Sequence, residues 1–172
     1  MFSNDIVLYG KHAEMIKKYS RNTSAEEHIE LVINDLENKD EPVFLFNDLM
    51  ECYMVAGMVG IISNKKADKD TSKDIKATIF SSVISNRKGY MQRMVKYMIL
   101  SQYTNENADM LVKKAFSMKR DKDVDKQLEE ELHSYVRGGL EILDDYFKNV
   151  KDYTDVANVI YQFLDDYTIS ND

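Results

Sequence analysis

Leu49-Met50-Glu51-Cys52-Tyr53-Met54-Val55-Ala56-Gly57-Met58-Val59-Gly60-Ile61-Ile62 is the stretch whose reading decides the fold. Asn47 or Asp48 just before it can cap a helix by accepting an otherwise unpaired backbone N–H. The run is apolar on nearly every side, which is the pattern of a helix buried all round rather than along one stripe. Its uninterrupted apolar part, Met54 to Ile62, falls far short of the roughly 20 residues a membrane span needs. Gly57 and Gly60 let another element come close to its backbone. The sequence therefore predicts a mainly α fold, a compact multi-helix domain around a buried central helix at 49–62.

Other helices follow on both sides. Upstream, residues 1–9 read as an N-terminal arm, with Ile6-Val7-Leu8-Tyr9 weakly strand-like, followed by a short helix with Met15, Ile16 and Tyr19 on one side. Ser24 with Glu27 forms a capping box, and Ile29, Val32, Ile33 and Leu36 repeat at helical spacing until a polar turn at Asn38 to Pro42. Val43-Phe44-Leu45-Phe46 is either a strand fragment or a hydrophobic staple.

Downstream, Ser63 to Lys76 reads as a polar loop, after which Ile75, Ile79 and Phe80 bring the chain back to the core. A minor two-stranded element could join 43–46 to 75–77. Met91, Met94, Val95, Met98 and Ile99 predict a helix over 87–101. Asn105 caps the next, which carries Ala108, Leu111, Val112, Ala115 and Phe116.

The longest helix spans Val124 to Lys148, with Leu128, Leu132, Tyr135, Val136, Leu140, Leu143 and Phe147 on one stripe. Within it, Gly138-Gly139 costs about 1 kcal/mol per glycine relative to alanine, so a kink, a break or tight packing is expected there. A last helix at Asp155–Tyr167 buries Val156, Val159, Ile160, Phe163 and Leu164, and 167–172 forms a short tail. All of this reads as one helical domain over residues 1–172, with Gly57, Gly60, Gly138 and Gly139 as packing or hinge candidates.

Composition agrees. The 172 residues are enough to bury a core without disulfides, and a single proline with six glycines disfavours a many-turned β architecture. One cysteine, Cys52, cannot form an internal disulfide, and the first residues lack a basic and apolar leader; a reducing cytoplasm is the expected compartment.

Charge is segregated along the chain. Residues 1–62 carry 5 basic and 11 acidic side chains, residues 63–126 carry 15 and 8, and residues 127–172 carry 3 and 11. A basic middle between acidic ends can neutralise itself within the fold, meet an acidic partner, or pair with another copy or subunit.

Each candidate for catalysis or metal binding fails at a specific position. His12, His28 and His133 have no paired metal spacing; Glu129 and His133 share a helix face but lack a third ligand, and a solvated pair is the plainer reading. Asp68-Asp70-Ser72 and Asp121-Asp123-Asp125 begin like calcium loops, but the glycine and glutamate such loops require are replaced by Lys73 and Ile79, and by Lys126 and Leu132. Gly57 and Gly60 lack the lysine of a phosphate loop. Apolar surroundings leave Cys52 an inert core thiol. No catalytic, cofactor or metal residues are assigned, and the chain reads as a non-enzyme.

Lys65, Lys66, Arg87, Lys88, Arg93, Lys96, Lys113 and Lys114 are the candidate nucleic-acid contacts. Tyr90 and Tyr97 are interleaved among them, since cations hold phosphates and aromatics stack on exposed bases. The competing reading is a solvated helix face with half-buried tyrosines.

Phe44-Leu45-Phe46-Asn47-Asp48-Leu49-Met50 leading to Ala56-Gly57-Met58-Val59-Gly60, and Tyr135-Val136-Arg137-Gly138-Gly139-Leu140-Glu141-Ile142-Leu143, resemble a family pattern. It is that of the Dnd-system-associated small proteins encoded beside DNA phosphorothioation and other bacterial antiphage genes. The resemblance spans residues 43–147. It implies a defence-associated accessory protein without an established catalytic residue. The expectation that follows is a small antiviral defence subunit bridging a larger ATPase, nuclease or DNA-modification partner to another subunit or to DNA. No membrane association is expected, because the apolar run at 54–62 is too short to span a membrane. Two other readings stand beside it: a DNA-binding module acting through 63–126, and a phage-encoded acidic inhibitor that mimics DNA.

Overall fold

A computed structural model describes residues 2–22, 43–72, 74–102, 107–117 and 121–169. The helix expected to open at Ser24, its polar end at Asn38 to Pro42, and the Asn105 cap lie outside these residues. In chain order the elements are β1 (Ile6–Tyr9), α1 (Gly10–Tyr19), β2 (Ser20–Asn22), β3 (Phe46–Asp48), α2 (Leu49–Ile62), β4 (Lys76–Ile79), α3 (Ser81–Leu100), α4 (Ala108–Phe116), α5 (Lys122–Phe147) and α6 (Tyr153–Ile169).

The fold is mainly α. α2 starts where the Asp48 side chain accepts the Glu51 amide at 2.8 Å, and it packs most extensively on α5, with α3 and α1 completing its surroundings. Among its apolar residues only Val55 and Ile62 are exposed. α5 brings Leu128, Leu132, Tyr135, Val136, Leu140, Leu143 and Phe147 into the core as one buried stripe.

At the α2–α5 crossing the backbones nearly touch. A Cβ on Gly139 would overlap the Ala56 carbonyl, and one on Gly60 would overlap the Tyr135 carbonyl. α5 runs through Gly138-Gly139 without a break, so the two missing side chains make room there for a neighbour.

The strands are short and pair differently from the expected 43–46 with 75–77. β1 and β4 run antiparallel with Ile6 opposite Ile79 and Leu8 opposite Ala77. These four side chains are buried, so the alternation of Ile6 and Leu8 sets the register. Phe46–Asp48 instead pairs in parallel with Ser20–Asn22.

The segment after α2 is held down along α5. α2 ends with Asn64 in the left-handed region at φ 48°. The Asn64 and Lys65 amides donate back to the Ile61 and Gly60 carbonyls at 3.1 and 2.9 Å, a Schellman closure in which asparagine stands where glycine is usual. The chain then crosses α5, with the Ala67 amide on the Ser134 carbonyl at 3.0 Å and the Lys65 carbonyl against Gly138.

Three expectations need correction. α3 begins at Ser81, not 87, because its first free amide is capped from a distance, by Asp5 at 2.7 Å. Phe80, expected in the core, is 60% exposed, since it precedes the helix in an extended conformation. α6 starts at Tyr153, where Asp152 accepts the Thr154 and Asp155 amides. α6 rests mainly on α5, so Val156, Val159 and Phe163 pack inward while Ile160 and Leu164 are exposed.

Candidate functional site

Two groups of polar residues stand out, one under the crossing segment and one on the surface. The first centres on Glu141 of α5. Its carboxylate takes Lys11 Nζ at 2.8 Å, His12 Nε2 at 3.3 Å and Lys65 Nζ at 3.6 Å. Burial pushes the Glu141 carboxyl up, but the hydrogen bonds from Lys11 and His12 outweigh it and leave it below its ordinary value. The same contact raises Lys11. Asp70, lowered by the Ser72 and Lys11 amides it accepts, sits against Gly10. That glycine is at φ +53°, and a side chain there would collide with the Asp70 carboxylate.

Arg137 on α5 is a buried charge, 7% exposed. Its Nε donates to the Ala67 carbonyl at 2.9 Å and its Nη2 to Glu130 at 3.0 Å. One turn earlier, His133 is not a solvated partner of Glu129. Its Nδ1 lies 2.6 Å from the Tyr53 hydroxyl, with the rings edge to face, and Glu129 accepts the Phe2 amide instead. Burial lowers His133 and raises Tyr53. Both groups are therefore neutral at pH 7, and the hydroxyl is the natural donor to Nδ1.

His12 and His133 are expected to contribute to the acid sensitivity of the fold near neutral pH. Burial lowers both, so the unfolded chain binds more protons than the native one below the ordinary histidine value of about 6.5. Their contribution is complete above that value and is lost as pH falls through it toward the depressed native values. Stability against urea is expected to drop between about pH 7 and 5. His133→Gln, which can still accept from Tyr53, should flatten that drop; an unchanged slope in the variant would refute the assignment.

Cys52 is fully buried, and burial raises its thiol to about 12, which leaves it protonated and unreactive. Among the described residues no group of three or more His, Cys, Asp or Glu could hold a metal ion. Asp70, the second acid of the first calcium-like pattern, is occupied by backbone amides.

The structure divides the candidate nucleic-acid contacts. Lys65 and Lys66 lie in the crossing segment and are engaged by acids: Lys65 by Glu141, and Lys66 by Glu131 at 2.7 Å. Arg87, Lys88, Arg93 and Lys96 lie on α3, whose 20 residues hold these four cations and no acid. Arg93 lies over the Tyr90 ring, 4.8 Å from its centroid, and Lys96 over Phe116 at 4.9 Å. Tyr90 and Tyr97 are each 53% exposed. Lys113 and Lys114 lie on α4 beside them, exposed.

α4 also departs from expectation. Leu111 and Ala115 are buried, but Met110, Val112 and Phe116 are exposed, so the helix turns apolar groups outward. The methionines are mostly core: Met50, Met91, Met94 and Met98 are buried, and among described methionines only Met110 is exposed. Sequence reasoning missed Arg137, Tyr53 and Glu141, because a single charge or phenol on a helix does not announce a partner 70 or more residues away.

The described residues are mainly helical, and α3 and α4 carry a basic, aromatic face. The family model for DNA sulphur modification system-associated protein 4 matches residues 21–170, and the chain belongs to that family. Membership gives it an accessory place in DNA sulphur modification and extends the family beyond the 43–147 resemblance at both ends. No curated protein and no solved structure matches the chain. Among the described residues no helix is long and apolar enough to cross a membrane.

Proposed function

We propose that this chain is a non-catalytic accessory subunit that docks a larger ATPase, nuclease or DNA-modification protein of its DNA sulphur modification system, in the service of antiphage defence. The observation that carries the reading is the outward face of α4. Met110 and Phe116 are 63% and 58% exposed, next to Lys96 and Lys113, on a helix of nine residues. Apolar anchors with Lys96 and Lys113 beside them suit a protein surface that offers an apolar hollow with acids at its edge. Family membership favours a subunit of the system itself over a phage-encoded inhibitor.

Co-expression with the neighbouring gene products should recover the chain in a complex. Met110→Glu with Phe116→Glu should weaken capture by about 2 kcal/mol or more, as loss of two interface anchors does, while leaving the helical spectrum unchanged. Purification of the wild-type chain only as an isolated protein, with intact defence after deletion, would sink the proposal.

Direct DNA binding is the second reading, favoured by the four cations of α3 standing without an acid. Charge reversal of Arg87, Lys88, Arg93 and Lys96 should then abolish low-salt DNA binding. Reversal of Lys65 and Lys66, already paired with acids, should change it little. No DNA affinity in the wild type at low ionic strength removes this reading.

A further inference from the structure

The cations of α3 are set apart from those elsewhere in the fold. Lys11, Lys18, Lys65, Lys66, Arg137 and Lys148 each meet a carboxylate, whereas among the described residues Arg87, Lys88, Arg93 and Lys96 meet none. The helix is also bare along its first half. Over Ser82–Arg93 only Ile84 and Met91 are buried and Arg87 is half-buried, with every other residue exposed. Met94, Val95, Met98 and Ile99 anchor the second half in the core. Helical spacing puts Ser82, Ser85, Asn86, Gly89, Gln92 and Arg93 on one outward face, opposite Ile84 and Met91. Lys88 leaves the helix on one side of that face and Arg87 on the other.

The chemistry of this face points to one kind of ligand. Its centre lacks the apolar anchor on which a protein–protein contact turns. It offers side-chain amides, hydroxyls and a guanidinium instead, and these groups fit base edges: asparagine and glutamine pair with adenine, arginine with guanine. The face is convex, and Arg93 already lies over the Tyr90 ring, so that ring is no free platform for an unstacked base of a single strand. Gly89 is a second, independent observation. At Gly10, Gly57, Gly60, Gly138 and Gly139 a side chain would meet a neighbour, but at Gly89 nothing lies within 4 Å. Glycine inside a helix lowers stability relative to alanine, so packing gives no reason for it. A ligand that must come close to the helix backbone does.

We propose that the first half of α3 seats in the major groove of duplex DNA. Asn86, Gln92 and Arg93 face the base edges, Gly89 marks the closest approach, and Arg87 and Lys88 reach the phosphates on either side. The proposal rests on the direct DNA-binding reading above and adds to it the form of the nucleic acid and the groove. A helix about 10–12 Å across matches a major groove about 12 Å wide. Duplex RNA has a deep, narrow major groove that side chains cannot read. Phe116 of α4 meets α3 at Lys96, in its other half, so the DNA and the proposed protein partner hold different surfaces.

Fluorescence anisotropy at low salt should rank duplex DNA above single-stranded DNA and duplex RNA of the same sequence, with affinity falling steeply as salt rises. Gly89→Leu should weaken duplex binding by about tenfold or more, since it holds the backbone off base edges that are each worth about that much. Its fold should be at least as stable as wild type in urea, because the position is open and leucine is the better helix former. In the wild-type complex dimethyl sulfate should be blocked at guanine N7, in the major groove, and not at adenine N3, in the minor groove. Charge reversal of the four α3 cations reads DNA binding as such. If it abolishes binding while Gly89→Leu binds like wild type, or if adenine N3 alone is shielded, DNA binding stands and the groove assignment is overturned. Equal or tighter binding of single strands or duplex RNA overturns it too, as does a Gly89→Leu chain that loses the larger subunit and keeps the DNA. A wild type without DNA affinity overturns both the assignment and the reading it rests on.

Discussion

Gly139→Ala is expected to destabilise the chain by about 3 kcal/mol or more, the upper range of overpacking costs, although alanine is the better helix former. The added Cβ would overlap the Ala56 carbonyl and approach the Gly60 amide nitrogen at 2.9 Å. Both are backbone atoms in the middle of α2, so neither can turn aside as a side chain would. Relief requires α2 to move off α5, and Gly60, which meets the Tyr135 carbonyl and the Gly139 nitrogen, holds the same crossing from the other helix.

The other glycines supply the controls. At Gly57 the obstacle is the terminal methyl of Met94 with a Val136 methyl at 3.2 Å, so alanine there should cost about 1 kcal/mol, less than at a rigid backbone contact. At Gly89 nothing lies within reach of a Cβ, and alanine should add up to about 1 kcal/mol of stability. Urea unfolding of the three variants should therefore rank Gly139→Ala far below wild type, Gly57→Ala slightly below it and Gly89→Ala above. A Gly139 variant as stable as wild type would mean that the two backbones do not meet there.

That crossing is legible in the sequence because both of its halves are local. Apolar residues on every side of 49–62 declare a buried helix, and glycines inside helices at 57–60 and 138–139 mark where something approaches. What lies beyond the reach of local patterns is whatever depends on distant parts of the chain. The first turn of α3 has no cap of its own, and Asp5 supplies it from 76 residues away. Phe80, Ile160 and Leu164 follow the apolar period yet face solvent, because periodicity shows which residues share a face and not whether a neighbour covers it. Among the basic residues, Lys65 and Arg93 look alike in sequence. Only the packing of the crossing segment on α5 brings Glu141 to Lys65 and leaves Arg93 to Tyr90. The family resemblance rests on the same local apolar and glycine-bearing stretches, which is why it covers the helical centre and stops short of the ends.

Arg137→Leu is the second large effect, and it distinguishes a structural role from a merely charged one. The Ala67 carbonyl accepts from Nε; without it a carbonyl held against α5 loses its partner, at a cost of about 1–3 kcal/mol. The usual further cost of stranding a buried counter-ion does not arise, because Glu130 is 64% exposed and regains water. The net loss should be about 2–3 kcal/mol, with amide exchange accelerated around Ala67 and less so in the core of α2. Arg137→Lys should recover only part of it, since one ammonium cannot reproduce a fork that spans the Ala67 carbonyl and Glu130 together. A further readout follows from position. Burial chiefly lowers both His133 and His12 and the guanidinium adds to it, so its removal should raise the pH at which both imidazoles titrate, measurable by proton NMR. The acid limb of the stability curve should become shallower at the same time, because the native histidine values then lie nearer the unfolded one. If Arg137→Leu left the titration of His133 where it was, the guanidinium charge would not reach that ring.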